Sequence, residues 1–599
     1  MKKNVLALSI AAMIGGLGFA GAASAAVVQG TAGFVPGTTM TTTSATTLEL
    51  SEGGVGHMLL VPYYSAQNGN MTVLHVVNTD TVNGKAVKVR FRGAANSDDV
   101  MDFQVFMSPG DVWTAAVTRN ATTGVAQVQT ADSTCSVPSL GINTPQAFSI
   151  DRVNPKATDT VRANGTLEGY VEIFNMADVS GAKSFTVGTV PNQVVNTNSP
   201  LYTAIKHVNG AAAPCSVEGS TSRSTLNTIA LKNYTDQQTA SADGFDTPTG
   251  GLMGDWYIIN VPETTTFSGA ATAVVAQDAN GIVARGNFVH FPQSQTAVGT
   301  ADINNFTADP LLRTDALKVD GSSYVAGTIT LPALAAGFYD LPDMSTPYIV
   351  AGAPAAPVSA RAQAASLTKA LAVTSVTNQY ANDTSVTAKT DWVFSMPTRR
   401  YSVAANYSAV TSTSPANDAN IAYRLFSNLG IAVNPAAAAN LQDEWFFAAN
   451  TALDTEGKGN ICVFVDEASG QVFYDREEQT AKAADPVPVF SPRTPGSTQR
   501  VSLCGETSVL AFKYNDNSVL AASVARNTLT SGTYTNGWGV LNTKNAIAAA
   551  TNPATAGVAT TGNAGLPLLG SSFIKLSNPS VAAGLSGTYG ITWPHRFTK

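Results

Sequence analysis

The chain has 599 residues, of which 34 are basic and 41 acidic, giving a formal net charge of −7 with only 13% charged side chains. With no cluster of Lys and Arg beyond pairs such as Arg399-Arg400, it lacks the phosphate-tracking surface that nucleic-acid binding requires. A chain of this length divides into roughly two to four units, because single cores stop growing near ~250–300 residues.

Lys2 and Lys3 precede an apolar run from Val5 to Phe19, and Ala23-Ser24-Ala25 follows. This is the pattern of a secretory signal peptide over 1–25, with Ala26 as the expected mature start. The apolar run is short for a bilayer, and no cysteine behind the cleavage site could carry a lipid, so simple secretion is expected. Residues 26–50 are rich in Thr and Gly and read as an extended leader rather than a packed element.

From His57 to Ala116 the chain alternates as half-buried strands do. Val87, Val89 and Phe91 interleave with Lys88, Arg90 and Arg92, which predicts one buried face and one face in water. Met101, Phe103, Val105 and Met107 form the inner face of the next strand, with Asp102 and Gln104 outward, so opposite charges can meet across the pair. Asn68-Gly69 and Asn83-Gly84 suit type I′ hairpin turns and Pro109-Gly110 a type II turn. An upright stack of hairpins is the expectation.

Two stretches without periodicity follow, Asn120–Asn164 and Val179–Gly251, with a strand at Gly169–Asn175 between them. Each carries one cysteine. Four cysteines allow three pairings, and the expected one keeps each bond within a half, Cys135 with Cys215 and Cys462 with Cys504. The first would staple both irregular stretches into one excursion from the same sheet. Strand character resumes at Trp256–Val261, Ala273–Ala276 and Ile282–Phe291, with Val283, Phe288 and Phe291 as expected core residues.

A Pro- and Ala-rich bridge over 351–357 leads to the best helix candidate, Ser366–Tyr380, capped by Ser366. Trp392–Met396 reads as a strand stopped by Pro397, with Tyr401–Tyr407 as its expected partner. Ile461–Asp466 and Gln471–Asp475 read as a hairpin around Ala468-Ser469-Gly470. The expected fold class is mainly β: Ig-like β-sandwich domains with long loop insertions and one or two short helices. The expected organisation is an N-terminal β-sandwich region over 51–350, a bridge and helix over 351–390, and a C-terminal β region over 391–599. A transmembrane barrel would show many evenly spaced ten-residue strands and aromatic girdles, and this chain instead carries long irregular insertions.

Motifs that carry chemistry are sparse. His57, His75, His207, His290 and His595 are scattered, and no HExxH, CxxC, GxSxG or P-loop spacing occurs. Ser366-Leu367-Thr368-Lys369 and Ser572-Phe573-Ile574-Lys575 match SxxK, but no KTG accompanies them. Calcium is the only cofactor with candidates, namely Asp98, Asp99 and Asp102 in one hairpin, Asp278 with Asn280 in a half-formed loop pattern, and the acidic run Asp475, Glu477 and Glu478. Each also suits an ordinary turn. No enzymatic activity is expected.

Several strings resemble the nanopod-forming surface-layer proteins of Gram-negative bacteria. They are Leu60-Val61-Pro62-Tyr63-Tyr64, Thr72–Asn78, Lys88–Gly93, Met107–Thr114, Asp391–Tyr401 and Trp593-Pro594-His595. That resemblance implies a secreted, extracellular structural protein that assembles with itself into a cell-surface layer or a tubular sheath around outer-membrane vesicles. Its partners would be further copies of itself and the outer-membrane or vesicle surface. It transfers no functional residues. The alternatives are a secreted adhesin or glycan-binding β-sandwich module and, behind it, a secreted hydrolase.

Overall fold

A computed structural model describes residues 26–599 apart from 152, 155–156, 183–184, 191–192, 233, 235, 292, 294–305, 307–359, 406–422, 427–431, 434–444, 447–449, 455–457, 466–470, 478–500, 513–517, 530–534, 545–564 and 583–584. The expected signal peptide, the Pro- and Ala-rich bridge and the turn at Ala468-Ser469-Gly470 lie outside the described residues.

The first half is a sandwich of two sheets. Its strands, in chain order, are β1 (Thr47–Leu50), β2 (Met58–Ser65), β3 (Asn70–Asn78), β4 (Gly84–Gly93), β5 (Asp99–Met107), β6 (Val112–Arg119), β7 (Ala126–Gln129), β8 (Cys135–Val137), β9 (Gln146–Ala147), β10 (Glu168–Val179), β11 (Phe245–Asp246), β12 (Leu252–Asn260), β13 (Thr265–Ala270) and β14 (Thr272–Gln277). One sheet has the order β9-β7-β6-β3-β12-β13. The other runs β1-β14-β2-β10-β4-β5-β8, with β11 pairing β10. Between them lies a core that includes Val87, Val89, Phe91, Met101, Phe103, Val105, Trp113 and Trp256, the inner faces that the alternation predicts.

The hairpin stack is corrected in detail. Asn68 and Gly69 have the positive φ of a type I′ turn, 46° and 81°, and Gly110 has φ 71°. Yet both turns carry the chain from one sheet to the other instead of joining neighbours in one sheet. Asn83-Gly84 has no positive φ. The Asp80 carboxylate instead accepts from the Val82 and Asn83 amides and shapes that corner.

The second correction concerns the face expected in water. Every residue of β2, β4, β5 and β10 is buried, because a third layer covers the outer side of the larger sheet. That layer includes α2 (Pro200–Ile205), α3 (Thr221–Leu231) and α4 (Gln237–Asp243), while α1 (Asp159–Gly165) precedes β10. The stretch Val179–Gly251, expected to be irregular, thus carries three short helices, begun by Ser199, Ser220 and Asp236 caps. Leu201, Ile205, Leu226, Ile229 and Phe245 pack on Met58, Leu60, Phe106 and Phe174 of the sheet. The Cys135–Cys215 disulfide ties β8 to this layer, as expected. The leader is packed as well: Ala26–Val28 pairs with Phe288–His290, and Met40, Ala45 and Leu48 are buried. Phe288 and Phe291 are core residues, whereas Val283 is 58% exposed in an isolated bridge to Gln277.

The fifth helix among the described residues, α5 (Ala360–Leu371), stops earlier than expected. The chain beyond it turns to strand, so Thr374 and Asn378 are not helical. Leu367 and Leu371 join the core under the leader, and Ser366 Oγ accepts from the Leu48 amide rather than capping the helix.

The second half contains β15 (Ser375–Ala381), β16 (Lys389–Ser395), β17 (Gln471–Tyr474), β18 (Thr507–Phe512), β19 (Arg526–Leu529), β20 (Asn536–Asn542), β21 (Leu569–Ala582), β22 (Leu585–Pro594) and β23 (Arg596–Thr598). A five-stranded sheet, β19-β18-β16-β21-β22, faces a four-stranded one, β17-β20-β15-β23. Trp392, Phe394, Leu510 and Phe512 meet Val376, Tyr380, Phe473 and Leu541 between them. The partners of β16 are β18 and β21, not Tyr401–Tyr407. Gln471–Tyr474 pairs with β20, while Ile461–Phe464 pairs with Thr451–Leu453 and Ser502–Cys504, so the expected hairpin there does not form. Cys462 and Cys504 sit opposite each other and are bonded, as expected. The architecture is mainly β, with sandwich-type sheets and few short helices.

Candidate functional site

The larger sheet carries charge where its covering layer makes water absent. On its outer face Asp102, Arg90 and Glu172 stand directly opposite one another across β5, β4 and β10, with Gln104, Lys88 and Phe174 in the next row. Lys88 Nζ is bonded to Asp102 and, at 2.9 Å, to Gln293 Oε1. The Arg90 guanidinium lies 4.3 Å from the Phe291 ring centroid and 5.5 Å from that of Phe174. Lys85, at the end of the sandwich, donates to Asp178 at 2.6 Å and Thr249 at 2.7 Å. Burial opposes ionisation of Asp102, but Lys88 and Arg90 outweigh it and hold the carboxyl below its usual value.

The same face receives the second half of the chain. Arg400 Nη2 donates to both Glu172 oxygens, at 3.2 and 3.1 Å, and to the Tyr401 hydroxyl at 2.7 Å. Burial disfavours the charged form of Glu172, yet Arg400, Arg92 and Arg90 together keep its pKa low. Arg399 Nε donates to Glu506 at 2.6 Å and its Nη1 to the Ile461 carbonyl at 2.6 Å. Backbone joins in, with the Glu506 and Thr507 amides donating to Ala95 and Ala94 carbonyls. Val393, Val509 and Phe573 complete the junction by entering the first core beside Tyr63 and Trp256.

A second polar cluster lies deeper in the junction. Glu168 accepts from Gln67 Nε2 at 2.8 Å, the Ser523 amide at 2.7 Å and the Tyr63 hydroxyl at 3.2 Å. Asp391 accepts from Ser518 Oγ and from the Leu520 amide at 3.0 Å. Burial raises both carboxyls, Asp391 to about 6.

The expected sites disperse. Asp98, Asp99 and Asp102 are buried around the β4–β5 hairpin, and Asp102 is spent on Lys88. Asp278 shapes an exposed turn by accepting from the Asn280 and Ile282 amides. Among the described residues no group of three His, Cys, Asp or Glu side chains is arranged to hold a metal ion. His57 and His290 are buried, and burial lowers them to about 4 and about 3. His75 lies between Thr114 Oγ1 and the Tyr257 hydroxyl, and His207 accompanies Asp111. His595 stacks on Phe394, and its ring bridges Asn378 and the Val393 carbonyl. Of the SxxK pairs, Ser572 Oγ donates to the Gln379 carbonyl while Lys575 turns to Glu263.

Among the exposed large apolar side chains of the described residues are the aromatics Trp538, Tyr589, Trp593 and Phe597. Tyr589, Trp593 and Phe597 are 61%, 39% and 49% exposed along the last two strands. Tyr589 and Trp593 share one face of β22 by the period of two. The other face of β22 abuts β13, with the Ser268 amide donating to Thr592 Oγ1 at 3.3 Å. On the outer face of the four-stranded sheet Trp538 is 41% exposed. A hollow of about 350 Å³ near α3 is lined by Thr221, Ser224, Thr225 and Thr228, and its cation, Lys232, is paired with Asp243.

Trp538 and its partner Tyr474 escaped the sequence reading. No pattern within either strand marks them, because they meet only through the order of the sheet. Comparison with known protein families, curated proteins and solved structures finds no match for this chain.

Proposed function

We propose that this chain is a secreted structural subunit that associates with copies of itself in an extracellular layer or sheath, of the kind the sequence resemblance implies. The observation that carries the reading is that Tyr589, Trp593 and Phe597 on the last two strands are left in water, while Lys85, Lys88, Arg399 and Arg400 are paired in the interior. Exposed aromatics close together in the chain mark an interaction surface more than a soluble exterior. The two disulfides suit an oxidising compartment.

The junction supports the same reading. Load passed between subunits must not part the halves, and buried ion pairs with main-chain bonds hold them together. The strings that carry the resemblance supply much of this junction: Ser395 Oγ donates to the Pro62 carbonyl, and Tyr170 donates to Pro397. Several sheet edges are covered, β1 by α5 and β13 by β22, so side-chain surfaces rather than strand addition are the proposed contacts. Sedimentation velocity and negative-stain microscopy of the mature chain at rising concentration, with and without calcium, test this. Ordered assemblies are expected, and a strict monomer in every condition defeats the proposal.

A further inference from the structure

We propose that the outer face of the four-stranded sheet binds a neutral glycan, with the Trp538 indole, backed by the stacked Tyr474 ring, as the platform for a pyranose ring and Gln379 as its polar partner. The three residues form one cross-strand row, Gln379 opposite Trp538 and Trp538 opposite Tyr474. The two rings stack with centroids 4.4 Å apart and planes 11° from parallel. The row is fixed from beneath, because the Gln379 carbonyl accepts from Trp392 Nε1 and Ser572 Oγ, both at 2.9 Å.

The glycines beside the indole are required by close packing. A Cβ at Gly537 would lie 1.8 Å from the Tyr474 carbonyl oxygen, and one at Gly539 would lie 2.4 Å from the Phe473 ring.

The surrounding rows select the ligand. Thr377, Val540 and Val472 form the next row and Ser375 with Asn542 the one after. These rows are uncharged apart from Arg596, which pairs into them at the sheet edge, and on the other side of the Trp538 row Asn536 donates to Asp383 and Tyr474 is followed by Asp475, Arg476 and Glu477. Such a face complements a ligand that offers apolar C–H patches and hydroxyls. Pyranose rings present both, the C–H face for the indole and the hydroxyls for an amide that donates and accepts. Among the described residues an anionic polymer would meet Arg476 flanked by Asp475 and Glu477 rather than a basic patch. This inference goes beyond self-assembly and does not depend on it.

The test is calorimetric titration of the mature chain with soluble dextran, laminarin, mannan and galactomannan at low and high salt. At least one is expected to bind with little salt dependence, and Trp538→Ala to weaken it at least ~10-fold while the unfolding midpoint is kept. Gln379→Ala, outside the stack, is expected to weaken binding less and decides the matter where Trp538→Ala fails to fold. Silence across the panel, binding unchanged in folded Trp538→Ala or in Gln379→Ala, or a Trp538→Ala effect confined to self-association would each overturn the proposal.

Discussion

Arg400, just past the central strand of the second sandwich, places its Nη2 within 3.2 Å of both carboxylate oxygens of Glu172, in the middle of the first. Both side chains are almost wholly removed from water. Removing one partner of such a pair leaves a buried charge without its main counter-ion. Arg400→Met is therefore expected to cost ~3–5 kcal/mol, measured by urea unfolding, and Glu172→Gln in the same chain should recover much of it.

Acid and base act on the junction in opposite senses. Glu172 and Asp102 are held below their ordinary values of 4.5 and 3.8, so their stabilisation is present above those values and is lost as pH falls through the lower folded ones. Asp391 is raised from 3.8 to about 6, so its contribution is full below 3.8 and is lost as pH rises through about 6. Asp391→Asn should therefore leave acid stability unchanged and gain up to about 3 kcal/mol in mildly alkaline buffer. Denaturation curves across pH check this, and a gain confined to acid would contradict it.

The Cys135–Cys215 bond spans 80 residues and joins β8 to the helical layer. Replacing both cysteines by Ala should cost ~4 kcal/mol by chain-entropy arithmetic. Limited proteolysis should then cut first between Val179 and Phe245, before the sandwich core yields.

Tyr589 and Trp593 are exposed and contribute little to either core. Tyr589→Ser with Trp593→Ser is expected to leave the unfolding midpoint within ~1 °C while weakening self-association at least ~10-fold. Sedimentation equilibrium gives the second number and a thermal melt the first.

Much of the scaffold was legible because strand alternation is local. Val87, Val89 and Phe91 declare one buried face whatever lies opposite, and Cys spacing within each half favoured the pairs that form. The alternation could not say that Lys88, Arg90 and Arg92 face a covering layer instead of water. That layer begins about a hundred residues later and is made of helices too short for a clear period, and Phe291 and Gln293 lie further on still. Misreading this face also made Asp98, Asp99 and Asp102 look like cation ligands, although Asp102 is held by Lys88. The exposed aromatic row was missed for a different reason: Gln379, Trp538 and Tyr474 meet only through sheet order, and each is unremarkable in its own strand.

The central claim is that the chain assembles with itself outside the cell, and negative-stain microscopy of the native cell surface and shed material, beside a strain lacking this chain, tests it most directly. A periodic layer or tubular sheath that disappears with the chain is the predicted result. An identical surface and identical shed material in both strains would contradict it.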